Sequence, residues 1–161
     1  MVIGVALLGA LIFRIRIHAG SYVKDKRLAE AAERTLIQRF NGRQFDAIYD
    51  SSADATKRSV SHDQFIVAIQ SDFDTSGLIV DDVEAATTCF PEQVRMVRWL
   101  KTSKGTEQTA MIIWYLPDES RAQLLMIQVS PGHAPVSSEI VKAHPCSGRV
   151  YVTPGSSASG T

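Results

Sequence analysis

Asp72-Phe73-Asp74-Thr75-Ser76-Gly77 matches the opening of an EF-hand loop, where alternating oxygen ligands ring a calcium ion and a glycine makes the sharp turn. Ile79 supplies the apolar eighth position of that pattern. The twelfth position, which needs a bidentate Glu to close the ring, is Val83, and Glu84 comes one residue late. These acids therefore read as the end of a helix stopped by Gly77. Ser61-His62-Asp63 holds the letters of a hydrolase triad, but neighbours at one helix start cannot relay a proton among themselves. His18, His62, His133 and His144 are dispersed, with no Cys-x-x-Cys to join them, so no metal site is assigned. No glycine-rich phosphate loop is present, and no cofactor is expected.

Proton abstraction asks for a carboxylate base held near a phenol or a second acid. Tyr49, Tyr115, Asp81, Asp82 and Glu84 supply those residue types. Asp81 and Asp82 are adjacent on a strand, where successive side chains point to opposite faces, so they do not form a carboxylate pair. Asp82 and Glu84 share a parity. Turned inward, they would be costly to bury without partners and would themselves mark a site. No residue is assigned a catalytic role.

Cys89 and Cys146 are the only cysteines. Outside the cytoplasm they read as a disulfide, and in a reducing compartment as a buried Cys89 thiol and an exposed Cys146. Both readings stand at this point.

The elements that must carry these residues are helices first and strands after. Leu28, Ala32, Leu36 and Phe40 recur every four residues, with Ala29 and Ile37 widening the stripe, which predicts a helix from Tyr22 to Phe40. Asn41-Gly42 supplies left-handed residues to end it. Phe45, Ile48 and Tyr49 suggest a short second helix. Ser61 and Gln64 form a capping box opening a helix that carries Phe65, Ile66, Ile69 and Phe73, with Gly77 just past its end. After Gly77 the apolar period drops from about four to two, which predicts antiparallel strands at 78–90, 93–102, 106–116 and 122–130. On the second strand Val94, Met96, Arg98 and Leu100 share one parity. The register across Lys104-Gly105, and with it the relative facing of Trp99 and Trp114, stays open. From Pro131 the composition turns to Pro, Gly and Ser and reads as tail, with Val150-Tyr151-Val152 as a short docking edge. The chain thus divides into residues 1–20, a domain at 21–130 and a tail at 131–161.

Val2–Phe13 is unbroken apolar sequence. Twelve helical residues span about 18 Å against a hydrocarbon core of about 30 Å, which suits a signal segment better than a full span. Yet no basic region precedes it and no Ala-x-Ala follows, so a retained membrane anchor with the domain extracytoplasmic is expected, cleavage and secretion being the alternative. Arg14 and Arg16 argue the other way, for a cytoplasmic domain. The 161 residues carry 17 basic and 17 acidic side chains with no basic cluster, so nucleic acid is not an expected partner.

The order of a long first helix, Phe45-Asp46-Ala47-Ile48-Tyr49-Asp50, Ser61-x-x-x-Phe65, Gly77 and strands that include Gly105-Thr106-Glu107-Gln108 resembles small exported bacterial domains of the cystatin-like, or nuclear-transport-factor-2-like, cone superfamily. The resemblance covers about Ala29–Ser130. It implies an α+β fold in which a long N-terminal helix and shorter helices pack on a curved four-stranded antiparallel sheet. That superfold hosts enzymes, binding modules and structural domains alike, and the function expected here is a membrane-anchored binding or assembly module without catalysis, paired with a second copy or another envelope protein. A ketosteroid-isomerase-like enzyme using the cone cavity is the alternative. An enclosed cavity with polar lining is the observation on which that choice turns.

Overall fold

The structure is a computed structural model describing residues 17–147 and 150–154, with the side chains of 20–147. The Val2–Phe13 segment lies outside the described residues. Among those residues, no helix is long and apolar enough to cross a membrane.

The chain is α+β. Strand β1 (Ile17–Ser21) leads into helices α1 (Tyr22–Asn41), α2 (Phe45–Asp50), α3 (Asp54–Ser59) and α4 (His62–Ser76). Strands β2 (Ile79–Phe90), β3 (Gln93–Thr102), β4 (Glu107–Asp118) and β5 (Arg121–Pro131) follow, then α5 (Ser138–Ala143) and β6 (Val150–Pro154). Strands β2-β3-β4-β5 form one antiparallel sheet in sequence order, while β1 and β6 pair separately. Register shifts leave Ala85 on β2, between the Glu84–Arg98 and Ala86–Val97 pairs, and Leu125 on β5, between the Ile113–Met126 and Trp114–Leu124 pairs, as bulges, each of which bends its strand and increases its twist.

Alternation along the strands sets the two faces of the sheet. Val94 pairs with Trp114 and Met96 with Ile112, and all four are buried against Ala29, Leu36 and Phe40 of α1 and Ile48 of α2. Phe40, Phe45 and Phe73 close one part of this layer, with ring centroids 5.4–6.1 Å apart. Lys101 pairs with Glu107 across a loop at 102–106, which answers the open question of register. Trp99 therefore faces away from Trp114. It stacks on His133 at 5.0 Å and donates from Nε1 to the Ala134 carbonyl.

Helix α1 presents a different line from the four-residue stripe. Its buried side chains are Asp25, Ala29, Glu33, Leu36 and Phe40, and Leu28 and Ala32 are half-buried. A strict four-residue repeat advances about 40° beyond one full turn at each step, so the contact line must shift to intervening residues. The helix end also differs from the expectation. Gly42 has an ordinary φ of −85°, and Arg43 takes the left-handed conformation at φ 54°. Asn41 instead uses its amide to clamp β2, donating to the Ile79 carbonyl and accepting from the Ile79 N–H, both at 2.9 Å.

Helix α3 has no apolar period to announce it. It is held by polar bonds to the β5 edge, where Thr56 Oγ1 lies 3.1 and 2.8 Å from the Leu124 and Leu125 carbonyls. Residues 132–147 pack across the sheet, although their composition reads as tail. Thr109 Oγ1 donates to the Gly132 carbonyl and accepts from the Ala134 N–H. Further along, Cys146 is bonded to Cys89, and the Cys89 N–H donates to the His144 carbonyl.

Gly77 ends α4 at φ 79°, ψ −151°, a region open essentially only to glycine. A Cβ there would run into Ser103 Oγ, which accepts from the Leu78 N–H, while the Ser103 N–H donates to the Leu78 carbonyl. Gly77→Ala is expected to destabilise the fold by about 1–3 kcal/mol in thermal or urea unfolding. A loss below about 0.5 kcal/mol would show that α4 and the β3–β4 loop are not locked together at this point.

Candidate functional site

Helix α4 packs lightly on the sheet. Of its side chains only Phe73 and Ser76 are buried, and Phe65 and Ile69 are half-buried. The space this leaves between α1, α4 and the inner face of the sheet is a cavity of about 440 Å³. Its wall is mainly apolar, with Leu36 from α1, Ile69 from α4, Ile112 from β4 and Leu124 from β5. Two acids, Glu33 and Asp72, break that surface, and among the described residues no Lys, Arg or His lines it.

Glu33 is 2% exposed and belongs to a cluster of charges carried by three elements. Arg98 lies on the inner parity of β3. Its Nε is 2.5 Å from Glu33 Oε1 and 2.9 Å from Asp82 Oδ1, and it fails to align as a hydrogen bond with either. A second guanidinium nitrogen donates to Asp82 Oδ2 at 3.0 Å, and Nη1 is 3.5 Å from Glu84 Oε2. Lys26 reaches Glu84 at 3.1 Å and Glu30 at 3.6 Å. The register explains the convergence, since Glu84 pairs with Arg98 and Asp82 with the next inward position, Leu100.

Burial raises the Glu33 pKa to about 7. Arg98 opposes the rise, and the neighbouring charges of Asp82 and Glu84 add to it. Asp72 is also raised by burial, against hydrogen bonds from Gln108 and Ser76. Glu84 lies below its ordinary range. Its own burial works against this, and hydrogen bonds from Lys26 and Thr87 with the charges of Lys26 and Arg98 outweigh it. A buried carboxyl whose pKa is raised to about 7, on a residue that lines an apolar space, is suited to moving a proton.

The other candidates are placed elsewhere. Tyr49 donates to the Val60 carbonyl at 3.2 Å, with its ring against His62 and Phe65. Tyr115 pairs with Gln93 on the parity opposite to Trp114. Asp81 accepts from the Asp82 N–H and is exposed. Ser61 caps α4 with Gln64. His62 sits between Asp46 at 2.8 Å and Asp63 at 3.2 Å, and hydrogen bonds to Asp63 and then Asp46 raise its pKa. The Asp72–Ser76 stretch is helix, not a cation loop, and among the described residues no group of three or more His, Cys, Asp or Glu side chains is arranged to hold a metal.

Glu33 was not singled out from sequence, because Glu30-Ala-Ala-Glu33-Arg34 reads as a solvated run. The signal is its spacing, four residues after Ala29 and three before Leu36, which puts it on the core-facing line. No protein-family model, no curated protein and no solved structure matches the chain.

Proposed function

We propose that this chain is a membrane-anchored, extracytoplasmic binding module of the cone superfamily, and that it holds a small, largely apolar ligand without transforming it. The observation that carries the reading is the cavity of about 440 Å³, within the range of small-molecule sites and furnished with few polar groups. The Cys89–Cys146 bond supports the compartment, because disulfides persist outside the reducing cytoplasm. The apolar Val2–Phe13 segment supports the anchor.

A neutral solvatochromic dye tests this directly. Nile red should bind the purified chain saturably, with the blue-shifted emission of a dry site. Ala110→Phe, from the buried floor of the cavity, and Ala68→Trp, from α4, should each reduce that binding at least about tenfold while leaving circular dichroism unchanged. Undiminished binding in both filled variants would exclude the cavity as the site.

Glu33 favours a second reading, a ketosteroid-isomerase-like enzyme in the same cavity, since a buried carboxyl titrating near 7 suits general acid–base work. The two readings separate on turnover. A catalyst loses its rate in Glu33→Gln with ligand affinity retained, and a binding module has no rate to lose.

A further inference from the structure

We propose that a groove on the outer face of the sheet, beneath the segment that follows β5, binds a small organic carboxylate through the Arg95 guanidinium. This site is separate from the cavity and goes beyond the reading given for it, since no residue lines both.

The groove measures about 310 Å³. Strand pairing builds its floor. Val97 of β3 lies opposite Ala86 of β2 and Met111 of β4, and Met111 lies opposite Gln128 of β5. Val97 and Met111 alternate with the buried Met96 and Ile112, so they turn away from the α1–α4 layer. Ile140 and Val141 of α5, with Pro135 ahead of them, form the opposing wall. That wall is fixed at both ends, by the Thr109 hydroxyl at Gly132 and Ala134 and by the Cys89–Cys146 bond. A ligand therefore meets a groove already shaped, without the cost of ordering it.

Arg95 is the one ionisable side chain on this lining among the described residues. It stands two residues from Val97 on the same face, about 7 Å along the strand. The side chain is half-buried, with its guanidinium carbon 5.2 Å from the centre of the Phe90 ring. Its Nε is enclosed without a hydrogen-bond partner, whereas the two terminal nitrogens are not enclosed. No carboxylate pairs with it among the described residues. Arg98, three residues along the same strand, contacts three carboxylates on the inner face. The two arginines thus differ in what they lack. Arg98 has its counter-charges, and Arg95 has a ring to lie on and no anion.

A guanidinium held against an aromatic face, with its terminal nitrogens open and unpaired, offers parallel N–H donors that match a carboxylate. The apolar floor takes the body of the ligand. A cationic ligand would meet an uncompensated positive charge, and a bare inorganic anion would leave the floor unused.

The experiment titrates the full chain, at pH 7.5, with octanoate, octanol, octylamine and inorganic phosphate, followed by nitrogen–proton NMR of the Arg95 Nε–H and the Val97 and Met111 amides. Octanoate should shift all three signals saturably and bind at least about tenfold more tightly than each of the others. Arg95→Gln should weaken octanoate at least about tenfold and Arg95→Lys by less, with circular dichroism unchanged. Ala110→Phe, which fills the other cavity, should leave the octanoate affinity as it is. Octanol or phosphate binding as tightly as octanoate would overturn the carboxylate, as would undiminished affinity in Arg95→Gln. Loss of the octanoate shifts in Ala110→Phe would assign them to the cavity and overturn the groove. Octanoate that shifts none of the three signals would also overturn it, leaving the Nile red test of the cavity unaffected.

Discussion

Arg98→Ala is expected to lower stability by about 3–5 kcal/mol at pH 7.5, the range for breaking a buried charge cluster by removing one partner. The side chain is 13% exposed and is in contact with three carboxylates, of Glu33, Asp82 and Glu84. Without it the first two keep their burial and lose their counter-charge. Set against a total of about 5–15 kcal/mol for an ordinary domain, that loss brings the fold close to its limit. The size of the effect should depend on pH with a definite sign. Glu33 binds its proton more tightly folded than unfolded, so between about pH 4.5 and 7 the folded state holds the extra proton and its stability falls as pH rises. Lowering the pH to 5.5 should therefore return part of what Arg98→Ala removes. Arg98→Lys should fall between, keeping the charge but not the fork that reaches several oxygens. Urea midpoints of the three proteins at the two pH values check this, and a loss under about 1 kcal/mol at pH 7.5 would show the cluster to be solvated.

Opening the Cys89–Cys146 bond should cost about 4 kcal/mol in the chain-entropy model, given its sequence separation of 57 residues. The bond fastens the C-terminal segment beside the first strand of the large sheet, where the Phe90 and His144 rings lie 4.3 Å apart. Cys146→Ser should lower the melting temperature by on the order of 10 °C, as should a reductant acting on the unaltered chain. The double variant Cys89→Ala/Cys146→Ser should be insensitive to reductant. A melting curve that reductant leaves unmoved would mean that the two cysteines are not joined in solution.

The four strands were legible because binary patterning carries them. Gly77 separates a stretch with period near four from one with period two, and the turn residues fall between the runs. Parity also grouped Arg98 with Val94, Met96 and Leu100, and it put Asp82 and Glu84 on one face. What stayed hidden was the partner on the helix. Glu33 is visible only if α1 is read at 3.6 residues per turn instead of four, and then only as an acid in a core position. The segment after β5 was hidden for another reason. Residues 132–147 are poor in large apolar groups, and their placement rests on a covalent bond, ring contacts of His133 with Trp99 and His144 with Phe90, and hydrogen bonds such as those of Thr109. Composition measures apolar content and is blind to all three. Helix α3 was lost in the same way, through bonds from one threonine to two carbonyls.

The β1–β6 ladder has a mechanical consequence. Ile17 pairs with Pro154 and Ser21 with Val150, so chain on either side of the domain departs from the same end of the ladder. Tension between those two points would peel the five pairs one at a time, like a zip, instead of shearing them together. Once they had parted, the force would pass from Cys146 straight into Cys89, whose sulfur lies 3.8 Å from the Tyr22 carbonyl where α1 begins. Everything between the bridged cysteines, including β3, β4 and β5, would sit outside the stretched path. The floor of the cavity would keep its shape while α1, at its wall, took the strain.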